Sequence, residues 1–240
     1  MRSPYRPVQN PLVVAGGLRE EEVESRWEAA PAVLVVVASQ VLLAGISRSQ
    51  DWRLWDFPWW VWLIPIGPEL ILLVPLAWDR PRRRLEQRGH RRTVALAQLA
   101  VISLANALLL VAVIASLVQG NEKSGSQLLL KALTLWGTNV ITFGLWYWEL
   151  DRGGPVRRLQ PEPPPPDFQF PQMDSPELAE PGWRPELVDY LYVSFTDSIA
   201  FSPTDALPLT RRAKLLMLAE ATVSSVTVLL VAARAVNIFK

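Results

Sequence analysis

The sequence predicts an all-α, polytopic membrane protein with four to five transmembrane helices plus one helix too short to cross. Three observations carry this expectation. Half of the residues are apolar and a fifth are charged, and the charges are confined to stretches between long apolar runs. Five of those runs reach or approach the ~20 residues that a bilayer core of ~30 Å demands of a helix. Most of the eleven Trp cluster at or near the ends of these runs, where interfacial aromatic belts form.

Composition also removes several functions. The net charge of +1 gives no footprint for nucleic acid. With no Cys there are no disulfides, thiolate metal sites or Cys nucleophiles. The single His, His90, lies inside an arginine run. No nucleophile–base pair and no metal-ligand spacing stands out, so the chain reads as a non-enzyme without metal or cofactor.

The polar segment 1–30 holds Pro4, Pro7 and Pro11, then an acidic stretch from Arg19 to Glu28 with Trp27 at its edge. No basic stretch leads directly into an apolar run with a small-residue cleavage site, so a removable signal peptide is not expected. Residues 31–150 read as a four-helix transmembrane region. Pro31 to Ile46 is the first run, lengthened by its flanks, and Trp52 and Trp55 follow in a loop. Pro58 to Trp78 is the second. Its prolines at 65, 68 and 75 predict kinks, because proline removes a backbone donor and clashes with the preceding turn. Glu69 lies halfway along it, and an ionisable group at that depth has either a transport or gating role or a structural hydrogen bond to a neighbouring helix.

The loop 79–92 carries seven arginines, and in a short connection this places it in the cytoplasm. Next to two spans, such a run serves orientation and anionic lipid rather than nucleic acid. Thr93 to Val118 is the third run, with Gln98, Ser103 and Asn106 as buried polar points. After a turn around Gly120, Gln127 to Leu150 returns as the fourth. It ends on Trp146, Tyr147 and Trp148, with Arg152, Arg157 and Arg158 beyond them. Residues 151–185 are rich in proline, including Pro163 to Pro166, and read as an extended, semi-rigid linker. Residues 186–240 hold a short aromatic amphipathic segment and then a long apolar helix from Ala213.

That last region carries a resemblance. Tyr190-Leu191-Tyr192-Val193-Ser194-Phe195-Thr196 resembles the pore helix of potassium channels. Ala200-Phe201-Ser202-Pro203-Thr204-Asp205 falls, without a gap, where that family has its filter, Thr-Val-Gly-Tyr-Gly-Asp. Pro208-Leu209-Thr210-Arg211 resembles the lead into the inner helix. The likeness covers about 50 of the 240 residues. It implies a short re-entrant, pore-type helix, a homo-oligomer (a tetramer if channel-like) and monovalent cations as the permeating species.

Inside the filter the likeness fails. Ser202 and Thr204 stand at the glycine positions, where a Cβ penalises the backbone that rings of carbonyls require. Pro203, with φ fixed near −65°, stands at the tyrosine. Only Asp205 agrees, so a conventional potassium filter is not expected. Two readings follow. One is a channel-like protein of altered filter, lined by Thr196, Asp197, Ser198, Ala200, Phe201, Ser202, Pro203, Thr204 and Asp205. The other is a non-conducting assembly or regulatory protein that retains the fold.

The last helix carries two further intramembrane charges, Glu220 and Arg234. They lie about 21 Å apart along the axis and do not pair with each other. Glu220 has Lys131 or Arg212 as a partner, or faces a polar lumen near Asp197 and Asp205; Arg234 reaches for the interface. The charge rule and the resemblance disagree on orientation. Counting from a cytoplasmic 79–92 loop brings 151–185 to the cytoplasm, yet a potassium-channel pore loop enters from outside. Either 186–209 crosses as an imperfect span, or the module is inverted. The expected setting is a plasma membrane of bacterial type, with the chain crossing several times.

Overall fold

The computed structural model describes residues 29–54, 57–77, 91–119, 125–155, 157–203 and 205–238. Its helices are α1 (Ala29–Ser49), α2 (Ile66–Ala77), α3 (Arg91–Val118), α4 (Gly125–Leu150), α5 (Pro171–Asp174), α6 (Leu187–Ala200) and α7 (Arg211–Ile238). Among the described residues, four helices are long and apolar enough to cross a membrane: Ala29–Ser49, Arg92–Val118, Gly125–Gly153 and Arg211–Leu230. The polar N-terminal segment through Glu28, most of the basic loop 79–92 and the side chain of Arg234 lie outside the described residues.

The long helices bury many of their polar side chains while leaving large apolar ones exposed. On α1, Val33, Val36, Gln40, Leu43 and Ser47 recur on one helical face and are buried. Leu42, on the opposite face, is 65% exposed while Gln40 is 3% exposed. The same inversion separates buried Gln98 and Asn106 from exposed Leu104 and Leu108 on α3. On α7 it separates buried Glu220, Ser224 and Thr227 from exposed Leu215, Leu218 and Leu229. In water such a surface drives association, whereas hydrocarbon solvates it and leaves the polar groups to bind helix to helix.

The second apolar run breaks where its prolines predict. A 3-10 turn, Trp59–Leu63, is followed after Pro65 by α2, whose twelve described residues end where this part of the described chain ends. The run is not among the four described spans. Trp62 is buried, and α2 rests on α1 and α3.

α4 is the central helix and touches α1, α3, α6 and α7. Its pairings fix directions. Descending from Asp151, just past the end of α4, through Gly144, Val140 and Trp136 meets α6 in ascending order at Tyr190, Leu191, Ser194 and Phe195. α6 is therefore antiparallel to α4. α7 is antiparallel as well, since Arg212 reaches the Leu150 carbonyl while Asn139 donates to Ser224. The close α4–α6 approach depends on Gly144, where an added Cβ meets Leu191 Cδ2 at 2.7 Å and Leu191 Cα at 3.1 Å. Gly144→Ala should lose about 1–3 kcal/mol by overpacking, measured by unfolding in detergent. Gly137→Ala, with nothing within 4 Å of its Cβ, is the matched control that should lose nothing.

The proline-rich stretch is not a free linker. The run 163–166 has no regular secondary structure, but the chain after it is docked. Phe168 and Phe170 are buried and meet Tyr147, Tyr190 and Trp183, with ring centroids 5.0 to 6.3 Å apart. β1 (Phe168–Gln169) pairs antiparallel with β2 (Leu207–Pro208). Proline supplies no ladder donor, which confines Pro208 to such an edge.

Candidate functional site

The segment 187–210 leaves one end of α4 and comes back to that same end. α6 starts on a capping box in which Asp189 accepts from the Glu186 backbone N–H at 2.7 Å. It stops at Phe201, whose φ of 54° is left-handed and strained for a residue with a Cβ. The chain then returns through 201–206 to β2, and the Leu209 N–H bonds the Asp167 carbonyl at 2.8 Å. Residues 186–209 thus form a hairpin seated between α4 and α7, and the alternative of an imperfect crossing is overturned.

A polar latch holds the open end of the hairpin. Asp151, fully buried, accepts from the Asp167 N–H at 2.7 Å, the Phe168 N–H at 3.3 Å and the Tyr190 hydroxyl at 2.6 Å. Arg158 donates to the Tyr190 hydroxyl at 2.7 Å and also to the Trp148 carbonyl. Asp167 accepts from both arms of Arg212, its Nε at 2.6 Å, and from the Thr210 hydroxyl. Thr210 in turn caps α7 by accepting from the Ala213 N–H at 3.3 Å. Burial works against the Asp167 carboxylate, but the Arg212 guanidinium and the Thr210 hydroxyl outweigh it and hold its pKa below the ordinary aspartate value.

Deeper in, a second polar cluster joins the three helices. The Tyr147 hydroxyl bonds one Glu220 oxygen, and the Ser194 hydroxyl lies against both the other Glu220 oxygen and the Val140 carbonyl. Asp197 lies close enough to act electrostatically on Glu220 and Tyr147. It is 1% exposed, and its Oδ2 has no hydrogen-bond partner.

The residues expected to line a pore divide. Ala200, Phe201, Ser202, Pro203 and Asp205 are exposed at the hairpin tip and return. Asp205 accepts from the Tyr192 hydroxyl. Thr204 lies outside the described residues. Thr196 is half-buried, and its hydroxyl bonds back to the carbonyls of Tyr192 and Val193. Asp197 and Ser198 are buried between helices rather than presented with the tip, and Ser198 bonds the Phe195 carbonyl.

Glu220 meets neither cation proposed for it. Lys131 donates to the Arg53 carbonyl at 2.7 Å and Arg212 is engaged by Asp167. Glu69 accepts from Gln40 at 3.0 Å, and its backbone carbonyl accepts from Gln98 at 3.3 Å. That is the structural alternative for Glu69, tying α2 to α1 and α3. Sequence reasoning missed Asp151, Asp167, Tyr147 and Ser194 as site residues. The signal available was two acids, Asp151 and Asp167, set among Arg152, Arg157, Arg158 and Arg212.

Among the described residues no group of three or more His, Cys, Asp or Glu side chains comes together to hold a metal ion. Comparison with known protein families, with curated proteins and with solved structures finds no match to the chain.

Proposed function

We propose that the chain is a channel-like integral protein of the plasma membrane, a homo-oligomer subunit whose 187–210 hairpin is the pore-type element without being a conventional potassium filter. The observation that carries this reading is the course of the hairpin: a helix of fourteen residues, a turn, and a return to the same end, wedged between two antiparallel long helices. This course suits a segment too short to cross, and the potassium-channel likeness falls on the same residues. An exposed apolar stripe on α6, Val188, Tyr192, Phe195 and Ile199, is open to lipid or to further copies.

Orientation follows from charge. Arg152, Arg157, Arg158, Arg211 and Arg212 gather at the open end of the hairpin, and with the 79–92 loop they favour the cytoplasm for that end. The hairpin then enters from the cytoplasmic face, inverted relative to a potassium-channel pore loop. Asp205 is the carboxylate best exposed to form a ring attractive to monovalent cations.

The test begins with native mass in nanodiscs, where a tetramer is expected and a monomer removes any central pore. Flux of monovalent cations through the oligomer should fall severalfold in Asp205→Asn. A stable oligomer with no flux selects the second reading, a non-conducting assembly protein, which Pro203 and the missing filter glycines favour.

A further inference from the structure

We infer that the cluster between α4, α6 and α7 is a proton-binding site, in which Glu220 carries the proton and Asp197 is the second carboxylate that can take it. Glu220 is fully buried, and the two groups bonded to it, the Tyr147 and Ser194 hydroxyls, are neutral. A buried carboxylate with no cation beside it is costly, whereas a protonated carboxyl is not. The geometry accommodates the proton: Ser194 lies 2.7 Å from the Val140 carbonyl and can donate its one hydrogen there while the Glu220 carboxyl donates to Ser194.

Asp197 points to the same occupant independently. Its Oδ2 is buried without a partner, although it stands one helical turn from Ser194 and within electrostatic reach of Glu220. The groups that face Glu220 are Tyr147 from α4 and Ser194 and Asp197 from α6; its neighbour on α7, Ser224, is taken by Asn139. Two carboxyls that share a pocket with no facing cation keep one proton between them. The step is a transfer of one proton, from the Glu220 carboxyl to the Asp197 carboxylate or out of the pocket, with no other bond altered.

The site is connected to the hairpin. Asp197 also supplies the carbonyl that receives the Phe201 N–H at 2.8 Å, so it belongs to the last turn before the tip. When the proton leaves, Glu220 becomes a charged acceptor that competes with the Val140 carbonyl for the one Ser194 hydrogen, and the contact anchoring α6 to α4 weakens. Proton occupancy and hairpin seating are thereby coupled, whether or not the oligomer conducts.

Infrared spectroscopy of the full chain in lipid, at neutral pH and with or without sodium chloride, tests this. The expected result is a protonated carboxylic-acid C=O band that is lost in Glu220→Gln, retained in Asp197→Asn and unchanged by salt. Should Glu220→Gln fail to fold, Tyr147→Phe replaces it: removing one donor to the same acid should shift the band to higher frequency without abolishing it. A folded protein with no Glu220-dependent acid band overturns the inference. So does a band that sodium chloride removes, since a metal cation then takes the proton's place.

Discussion

Asp151→Ala should destabilise the protein by about 3–5 kcal/mol, the largest loss expected of any single substitution in the latch. The carboxylate receives two backbone N–H groups and the Tyr190 hydroxyl in a fully buried position. Deleting it strands all three, and each unsatisfied buried donor costs ~1–3 kcal/mol. Tyr190→Phe removes two contacts, the bond to Asp151 and the one accepted from Arg158, but leaves both backbone N–H groups bound, and should lose only about 2–3 kcal/mol. Unfolding in detergent measures the totals. Amide exchange at Asp167 and Phe168 localises the effect, and should accelerate in Asp151→Ala and stay near wild type in Tyr190→Phe.

The second large effect is a dependence on acid. The folded pKa of Asp167 lies below its unfolded value, so the stability it contributes is fully present above about pH 4, near the ordinary aspartate value. That contribution is lost as pH falls through the folded pKa. Release of the return segment should therefore be absent at neutral pH and appear only in acid, followed by proteolysis or exchange at residues 205–210. Asp167→Asn should reproduce the released state at neutral pH, with a loss of about 2 kcal/mol for hydrogen bonds to a charged group whose partner is half exposed. Arg212→Ala acts in the opposite direction on the carboxyl. Burial then dominates, the pKa of Asp167 rises, and the acid transition moves to higher pH. An unchanged transition in Arg212→Ala would remove the ion pair from the account.

Much of the architecture was legible in the sequence because lipid imposes a simple rule. A run of twenty apolar residues is a helix wherever its backbone must satisfy itself, and four of the five runs obey it. The hairpin was legible for the same reason, since fourteen residues cannot cross. In Pro58 to Trp78 the prolines marked the break, where Pro65 separates a 3-10 turn from α2. The docked course of 167–170 was hidden because a polyproline run masks the alternation of Asp167, Phe168, Gln169 and Phe170 that follows it. Partners within the bundle were the least legible. Sequence charge suggested Lys131 or Arg212 for Glu220, but the groups that bind it, Tyr147 and Ser194, lie 73 and 26 residues away and are uncharged. Their meeting depends on the rotation of three helices, which no single run encodes.

The return of the hairpin has one more consequence, for length. The seven Cα steps from Ala200 to Leu207 reach at most about 25 Å, while the fourteen residues of α6 rise about 21 Å. As a helix the same seven steps would rise only about 10 Å, too little to regain β1. The return arm is therefore not helical, and its backbone groups cannot satisfy one another as those of α6 do. In a bilayer such a stretch must lie against protein or water, so the hairpin has one arm that tolerates lipid and one that does not.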